Sequence, residues 1–199
     1  MSRAGDGKSF LNIADTPAPF LLLGGRYSAT FSATWGGGSV TPQILGPDDT
    51  TYVAVMTAWT GNGVALVDLP PCTARLLFDF AADPSTDVAT AIGDAATALA
   101  DIEAIGGVLP ASIALGQAVL DAIVAIGSAV TNALPGTARS AVTAAQAASA
   151  AAQADPTISG DAASMTALGQ VDTDLATLAT DVAAAPSGVY ACLSRIPGV

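Results

Sequence analysis

The sequence contains no histidine and only one lysine, Lys8, among its 199 residues. Histidine is the commonest general base at neutral pH and the commonest metal ligand in proteins. Its absence argues against hydrolases and metal-dependent enzymes. The closely spaced acids Asp172 and Asp174 do not replace it, because residues two apart on a helix face different directions. We expect no enzymatic activity, no cofactor and no bound metal ion.

Positive charge is scarce along the whole chain. Six Lys and Arg residues are outnumbered by 17 Asp and Glu residues, which gives a formal net charge of −11. Arg139 is the only cation between Asp79 and Ala185. Because nucleic-acid binding requires clustered Lys and Arg, we expect no nucleic-acid partner. The acids either keep an alanine-rich surface hydrated or attract a basic partner surface.

Only two cysteines are present, Cys72 and Cys192. Cys72 follows two prolines, and Cys192 lies in the last predicted strand. The two sulfur atoms would be neighbours only if those strands pair, which spacing alone does not decide. We favour two free, half-buried thiols.

Long apolar runs free of polar residues are also missing. The most apolar segment, 111–134, contains Asp121 near its middle, and a carboxylate at the bilayer centre costs roughly 2.5–3.5 kcal/mol. The apolar run at 10–13 is too short for a signal peptide. We therefore expect a soluble protein that does not enter a membrane.

Aromatic residues make up 5% of the chain, whereas the apolar fraction is 51%, much of it alanine. Alanine buries little surface per residue, so a core built from it depends on close backbone approach or on partner chains. We therefore expect an obligate homo-oligomer.

The first 82 residues have the pattern of a β domain. Residues 1–18 show no periodicity and predict an N-terminal arm, which is either a ragged terminus or lies across a neighbouring subunit. From Tyr27 to Trp35, aromatic and alanine residues alternate with Ser and Thr, the pattern of a strand with one packed face. Short strands at intervals near ten residues favour an antiparallel sandwich. The predicted strands are 20–23, 27–35, 40–45, 51–57, 64–69, 73–80 and 189–196.

From Pro84 to Pro186 the apolar spacing changes to three and four residues, which is typical of helices. Pro or Gly lies at each break between them. The predicted helices are about 85–105, 110–133, 137–155 and 159–184. The third helix is almost entirely Ala, Gln and Ser after Val142, and the fourth has a heptad seam from Leu168 to Val182.

Together these patterns predict an α+β protein. A small antiparallel β-sandwich (19–82 plus 187–199) is interrupted before its last strand by an inserted four-helix, Ala-rich domain (83–186). The ends of this insertion must lie close together, which requires an even number of helical passes. The helices either bundle within one chain or pack as hairpins from several subunits. Such an insertion suggests a projection on a base, and therefore assembly rather than catalysis.

Four segments of the β part resemble small structural proteins encoded by tailed bacteriophages and prophages. They are GGRYSATFSATWGGGSV (24–40), LGPD (45–48), VDLPP (67–71) and VYACLSRIP (189–197). This chain departs from the pattern at Cys72, where those proteins have a small residue, and in its helical segment, which lies outside the resemblance. The resemblance implies a virion protein, assembled in the host cytoplasm, without distinguishing head from tail.

From this resemblance we expect a capsid decoration or cement protein that oligomerises on the shell and stabilises it. A trimer is the first hypothesis, because decoration proteins often lie where three capsomer faces meet. The partners would be copies of the chain and the major capsid protein or another virion protein. The alternative is a tail or head-fibre component that displays the β domain for host contact.

Candidate contact residues come from both parts of the chain. Trp35 and Trp59 are candidates because aromatic residues are enriched at interfaces, although packing in the core or in turns is the favoured explanation for both. The helical candidates for oligomer or shell contacts are the apolar residues Val119, Ile123, Ile126, Leu168, Leu175 and Leu178.

Overall fold

Residues 7–196, which the computed structural model describes, contain eight strands and five helices. They divide into two compact units. The first comprises the residues up to 81, together with 133–135 and those from 184 onward; the second comprises 82–132 and 136–183. The short segment 133–135 therefore departs from the predicted continuous insertion at 83–186. The protein is of mixed α and β structure.

The first unit contains two antiparallel sheets of four strands each. Its strands are β1 (Gly7–Ile13), β2 (Phe20–Leu22), β3 (Gly25–Thr34), β4 (Ser39–Leu45), β5 (Tyr52–Ala54), β6 (Gly63–Leu69), β7 (Cys72–Asp79) and β8 (Ser187–Arg195). Sheet A has the order β1-β8-β3-β6, and sheet B has the order β2-β7-β4-β5.

The last strand, β8, occupies an internal position in sheet A. It pairs with β3 on one side, from Tyr27 opposite Arg195 to Thr34 opposite Ser187, and with β1 on the other. The prediction that the chain returns to the β part after the helices is therefore confirmed. The return supplies backbone partners to two strands at once.

Both sheets contribute to one cluster of buried apolar side chains. Tyr27, Phe31 and Val189 come from sheet A, whereas Leu76 and Phe78 come from sheet B. In β3 the buried residues alternate with Ser and Thr, as the period of two requires. The sequence pattern therefore identified the packed side of this strand.

The predicted N-terminal arm is wrong for the part of it that the structure describes. Gly7–Ile13 is a strand, with Phe10 buried in the cluster and opposite Ala191 of β8. Thr16 is also fixed, because its hydroxyl accepts a hydrogen bond from the Phe78 backbone N–H at 3.0 Å. Local sequence gives no strand signal here, and pairing with β8 decides the conformation. Residues 1–6 lie outside the described residues.

The helices are α1 (Ser85–Ala104), α2 (Pro110–Thr131), α3 (Pro135–Gln153), α4 (Pro156–Ser159) and α5 (Ala162–Ala183). The sequence missed α4, a single turn that Pro156 begins and Gly160 ends. Asp155 caps it by accepting hydrogen bonds from the backbone N–H groups of Thr157 and Ile158. The long α5 therefore begins later than predicted, after a second cap at Asp161.

Each long helix of the second unit has a buried stripe. In α5 the stripe contains Leu168, Val171, Leu175, Leu178 and Val182, which is the predicted heptad seam.

The only cation of the helical segment, Arg139, binds the end of a neighbouring helix. The Nε of Arg139 donates to the carbonyl of Val182 at 3.1 Å, where it meets the negative end of the α5 dipole.

Replacing Ala145 with leucine is expected to destabilise the fold by about 1–3 kcal/mol. Ala145 is completely buried in α3, so a larger side chain has no space without shifting its neighbours. Ala144→Leu is the matched control, because Ala144 is exposed on the same helix. Chemical denaturation of both variants checks the prediction. Equal stabilities would show that the alanine-rich face is loosely packed.

Candidate interaction surface

The side of sheet A that points away from the core cluster is the main candidate site, and we call it the outer face. Tyr27, Ala29 and Phe31 of β3 point into the core, so the intervening side chains point outward. Strand pairing then places Thr30 between Cys192 of β8 and Val64 of β6. It places Ser28 between Ser194 and Leu66 in the same way.

The outer face combines hydroxyl groups with exposed apolar side chains. Ser9, Ser28, Thr30, Ser32 and Ser194 supply the hydroxyls. Four large apolar side chains lie among them, with exposed fractions of 75% for Leu11, 65% for Val64, 60% for Leu66 and 50% for Tyr190. A group of large exposed apolar side chains of this kind marks a candidate contact surface.

Charge is confined to one end of the outer face. Side chains alternate between the two sides of a strand, and among the described residues of these four strands this places two charged side chains on the outer face, Arg26 and Asp68. They form a bidentate ion pair, with Nε–Oδ1 and Nη2–Oδ2 distances of 3.2 Å each. The outer side of sheet B differs, because Arg75 crosses its middle, stacks on Tyr52 and donates to Gln43.

A free thiol lies near the centre of the outer face. The Sγ of Cys192 is 3.0 Å from the hydroxyl of Ser194 and accepts a hydrogen bond from Ser9. Both cysteines are free and half-buried, as predicted. Cys72 belongs to sheet B, where burial raises the pKa of its thiol. Cys192 is therefore a natural labelling position for this face.

Both predicted tryptophan contacts are held by partners within their own chain. The Trp59 ring lies 4.9 Å from that of Phe31, and its Nε1 donates to the sulfur of Met56. The Nε1 of Trp35 donates to Asn62 Oδ1 at 2.9 Å. Both side chains are half-buried against the core, which favours the packing interpretation. A contact role for them stays a prediction.

The six helical residues predicted as contacts are core residues instead. Val119, Ile123, Ile126, Leu168, Leu175 and Leu178 are each at most 1% exposed within one chain. No surface remains on them for a partner, so their assignment to oligomer or shell contacts is corrected. A seam read from sequence identifies a buried stripe but not the molecule that buries it.

The acids of the helical segment have structural roles beyond hydration. Three serines that are completely buried, Ser112, Ser149 and Ser164, each donate a hydrogen bond to an aspartate. The Oγ–Oδ distances are 3.1 Å to Asp155, 2.6 Å to Asp172 and 2.8 Å to Asp161. A buried hydroxyl without a hydrogen-bond partner is costly, so these acids stabilise the fold by accepting hydrogen bonds from buried serines.

Two pairs of carboxyl groups meet where α1 packs on α5. Asp94 faces Asp174, and Asp87 faces Asp181. The two aspartates of each helix are seven residues apart, so both pairs fit a single antiparallel register of α1 against α5. Burial, and then the neighbouring carboxyl group, raises the pKa of Asp174 and of Asp181. The buried Oδ2 of Asp174 has no donor among the described residues unless a proton lies between the two carboxyl groups.

We expect the folded protein to become more stable as the pH falls from neutral toward the ordinary aspartate pKa of 3.8. A raised folded-state pKa means that the folded chain binds these protons more readily than the unfolded chain, so acid favours folding in that window. Below it the trend reverses, because hydrogen bonds from Thr51 and Ser164 lower the pKa values of Asp48 and Asp161. Urea denaturation across this pH range locates the pH at which the free energy of unfolding is largest.

The variant Asp174→Asn should raise stability at neutral pH and weaken the rise on acidification. Asp121→Asn removes the same charge from an exposed position of α2 and is the control. If the stability of Asp174→Asn still rises on acidification as much as that of the wild type, the carboxyl pairs have no specific role. The same conclusion follows if Asp121→Asn weakens this rise as much as Asp174→Asn does.

Helix α2 has the length and hydropathy of a membrane span. It is the one such helix in residues 7–196, with a mean hydropathy of 1.9 over a window of which 28% is buried. A single helix of this kind is weak support for a membrane location. Val124 is 49% exposed, so part of this apolar helix is left uncovered within the chain.

Sequence reasoning did not identify the residues of the outer face. A signal was present in β6, where Val64 and Leu66 alternate with Ala65 and Val67, so both sides of the strand are apolar. Such a strand needs cover on two faces. The remaining residues, such as Tyr190 and Thr30, become neighbours only through strand pairing.

Comparisons with protein-family models, with curated proteins and with solved structures found no match.

Proposed function

We propose that this protein is a virion structural protein, a capsid decoration or cement protein that binds the shell through the outer face of sheet A. The observation that carries this proposal is the composition of that face. Four exposed apolar side chains lie on it, and its charge is confined to the Arg26–Asp68 ion pair at one end, just as the centres of protein interfaces are depleted in charged residues.

The resemblance to phage proteins supports the same face. The segment 24–40 contains β3, and residues 189–195 of the closing segment lie in β8. These two strands are adjacent at the centre of sheet A. The segments that resemble virion proteins therefore include the strands that carry the proposed contact surface.

We also infer that the two sheets form a sandwich and that the long helices form a bundle within one chain. The core cluster shared by sheets A and B supports the sandwich. The buried stripes of α1, α2 and α5 support the bundle, because each stripe requires apolar partners.

In this proposal the protein acts without catalysis, in the virion, and its partners are the major capsid protein or another virion protein and further copies of itself. Buried area between subunits would resist the pressure of packaged DNA. The trimer is retained as a hypothesis for the state on the shell.

Electron microscopy of virions, together with copy number from quantitative mass spectrometry, tests this function. We expect hundreds of copies and density repeated over the whole shell. Density at one vertex with a few or dozens of copies would instead support the tail or head-fibre alternative. Absence from purified particles would overturn both roles.

Replacing Thr30 with aspartate is expected to abolish binding to shells that lack the protein. Thr30 lies at the centre of the outer face, and a carboxylate there would be desolvated without a partner. Thr41→Asp is the matched control on the outer side of sheet B. Co-sedimentation with shells measures the loss. Equal binding by both variants would exclude the outer face as the shell contact.

A further inference from the structure

The four edge strands of the two sheets differ in how well they are protected from pairing. β2 and β5, the edges of sheet B, have three residues each. β1, one edge of sheet A, carries Lys8 and an irregular register between Phe10 and Ile13. Short length, charge and irregularity are the means by which natural proteins keep an edge strand from joining another sheet.

The fourth edge, β6, lacks these protections over residues 63–67, and its one charged residue, Asp68, lies next to its end. It is seven residues long and keeps an unbroken register with β3, from Gly25 opposite Leu69 to Phe31 opposite Gly63. It contains no proline and no lysine, and Val64 and Leu66 project from it with more than half of their surface exposed. A regular apolar edge of this kind is a template for another strand.

We propose that β6 pairs with β6 of a second copy of the chain, antiparallel about a two-fold axis, so that two copies of sheet A become one eight-stranded sheet. The sequence of the strand favours a second copy as the occupant, because Val64 and Leu66 lie symmetrically about Ala65 and can cover each other in a two-fold pairing. A chain with a net charge of −11 repels a copy of itself, and residues 63–67 form an uncharged segment through which two copies can approach.

The register follows from the same residues. With Ala65 at the axis, Val64 lies opposite Leu66 of the second copy and Leu66 lies opposite its Val64, so the exposed apolar side chains cover each other. Gly63 and Val67 then form small-to-large pairs on the opposite side. Centring on Leu66 would instead place Asp68 against valine. The Ala65 register leaves Asp68 outside the paired segment, beside Arg26.

The pairing does not depend on the role in a virion, because it requires only two copies of the chain. A two-fold contact uses the same strand on both partners and so closes at two copies. The trimer hypothesis would need a different surface. Failure of the pairing and failure of the shell-binding function are therefore separate results.

The mass of the purified chain in solution tests the pairing. We expect a dimer, twice the chain mass of 19.4 kDa. Val64→Lys combined with Leu66→Lys should weaken dimerisation on the order of a hundredfold, because it sets like charges opposite each other in a contact that excludes water. A wild-type monomer at about millimolar concentration, or a trimer as the only assembly, would overturn the proposal.

A charge-complementary variant tests the register. Val64→Lys combined with Leu66→Glu places each new lysine opposite a new glutamate of the second copy, so dimerisation should recover relative to the double-lysine variant. Leu11→Lys is the control, because Leu11 is an exposed leucine on the opposite edge strand of sheet A. The proposal fails if the Lys/Glu variant dissociates as readily as the Lys/Lys variant, or if Leu11→Lys has the same effect.

Discussion

Leu175→Ala is expected to lower the free energy of unfolding by about 2–5 kcal/mol, independently of protein concentration. Leu175 is completely buried in the stripe of α5, with Val171 and Leu178 one turn away on either side. Removing its isopropyl end loses the transfer free energy of those carbons and leaves a cavity that close-packed neighbours fill only partly.

Urea denaturation at two protein concentrations about a hundredfold apart checks this prediction and separates a core role from a contact role. A subunit contact would make the loss depend on protein concentration, because dissociation is coupled to unfolding. Leu109→Ala is the control at an exposed leucine and should change stability by no more than about 0.5 kcal/mol. A loss for Leu175→Ala as small as for the control would contradict burial within one chain.

Gly24→Ala is expected to cost about 2–4 kcal/mol, the second large effect. Gly24 has φ of +83°, a region in which a side chain costs roughly 1–2 kcal/mol. A Cβ at this position would also lie 2.6 Å from the backbone N of Pro71, so one of the two turns must move. The Gly24-Gly25 turn and the Pro70-Pro71 turn, distant in sequence, are therefore packed against each other.

Thermal and urea unfolding of Gly24→Ala measures this cost. Gly61→Ala is the matched control, because a Cβ at Gly61 would have no neighbour within 4 Å. If the two variants have the same stability, the close contact between the Gly24-Gly25 turn and the Pro70-Pro71 turn does not contribute to the stability of the fold.

Much of the secondary structure was predictable because its causes are local. The alternation in β3 and the spacing of three and four in α5 are set by which side of the element is buried. Proline at the first position of α2 fixed where this helix begins. Among the described residues, helix bounds therefore differ from prediction mainly around α4, where two caps lie six residues apart.

Other features were unpredictable because they depend on residues far apart in sequence. β1 is a strand only because β8 supplies partners from the other end of the chain. The carboxyl pairs depend on the register of α1 against α5, which neither helix encodes alone. The outer face depends on strand order, since Thr30, Cys192 and Val64 come from three strands.

The sequence by itself determined the mixed α and β composition, the return of the chain to the sheet at β8 and the stripes that are buried. It did so because burial imposes a period on each element. Only the tertiary structure decided what covers those stripes, which strand edges remain open and which acids meet. Those outcomes follow from the register and order of elements, and register is a property of two segments together.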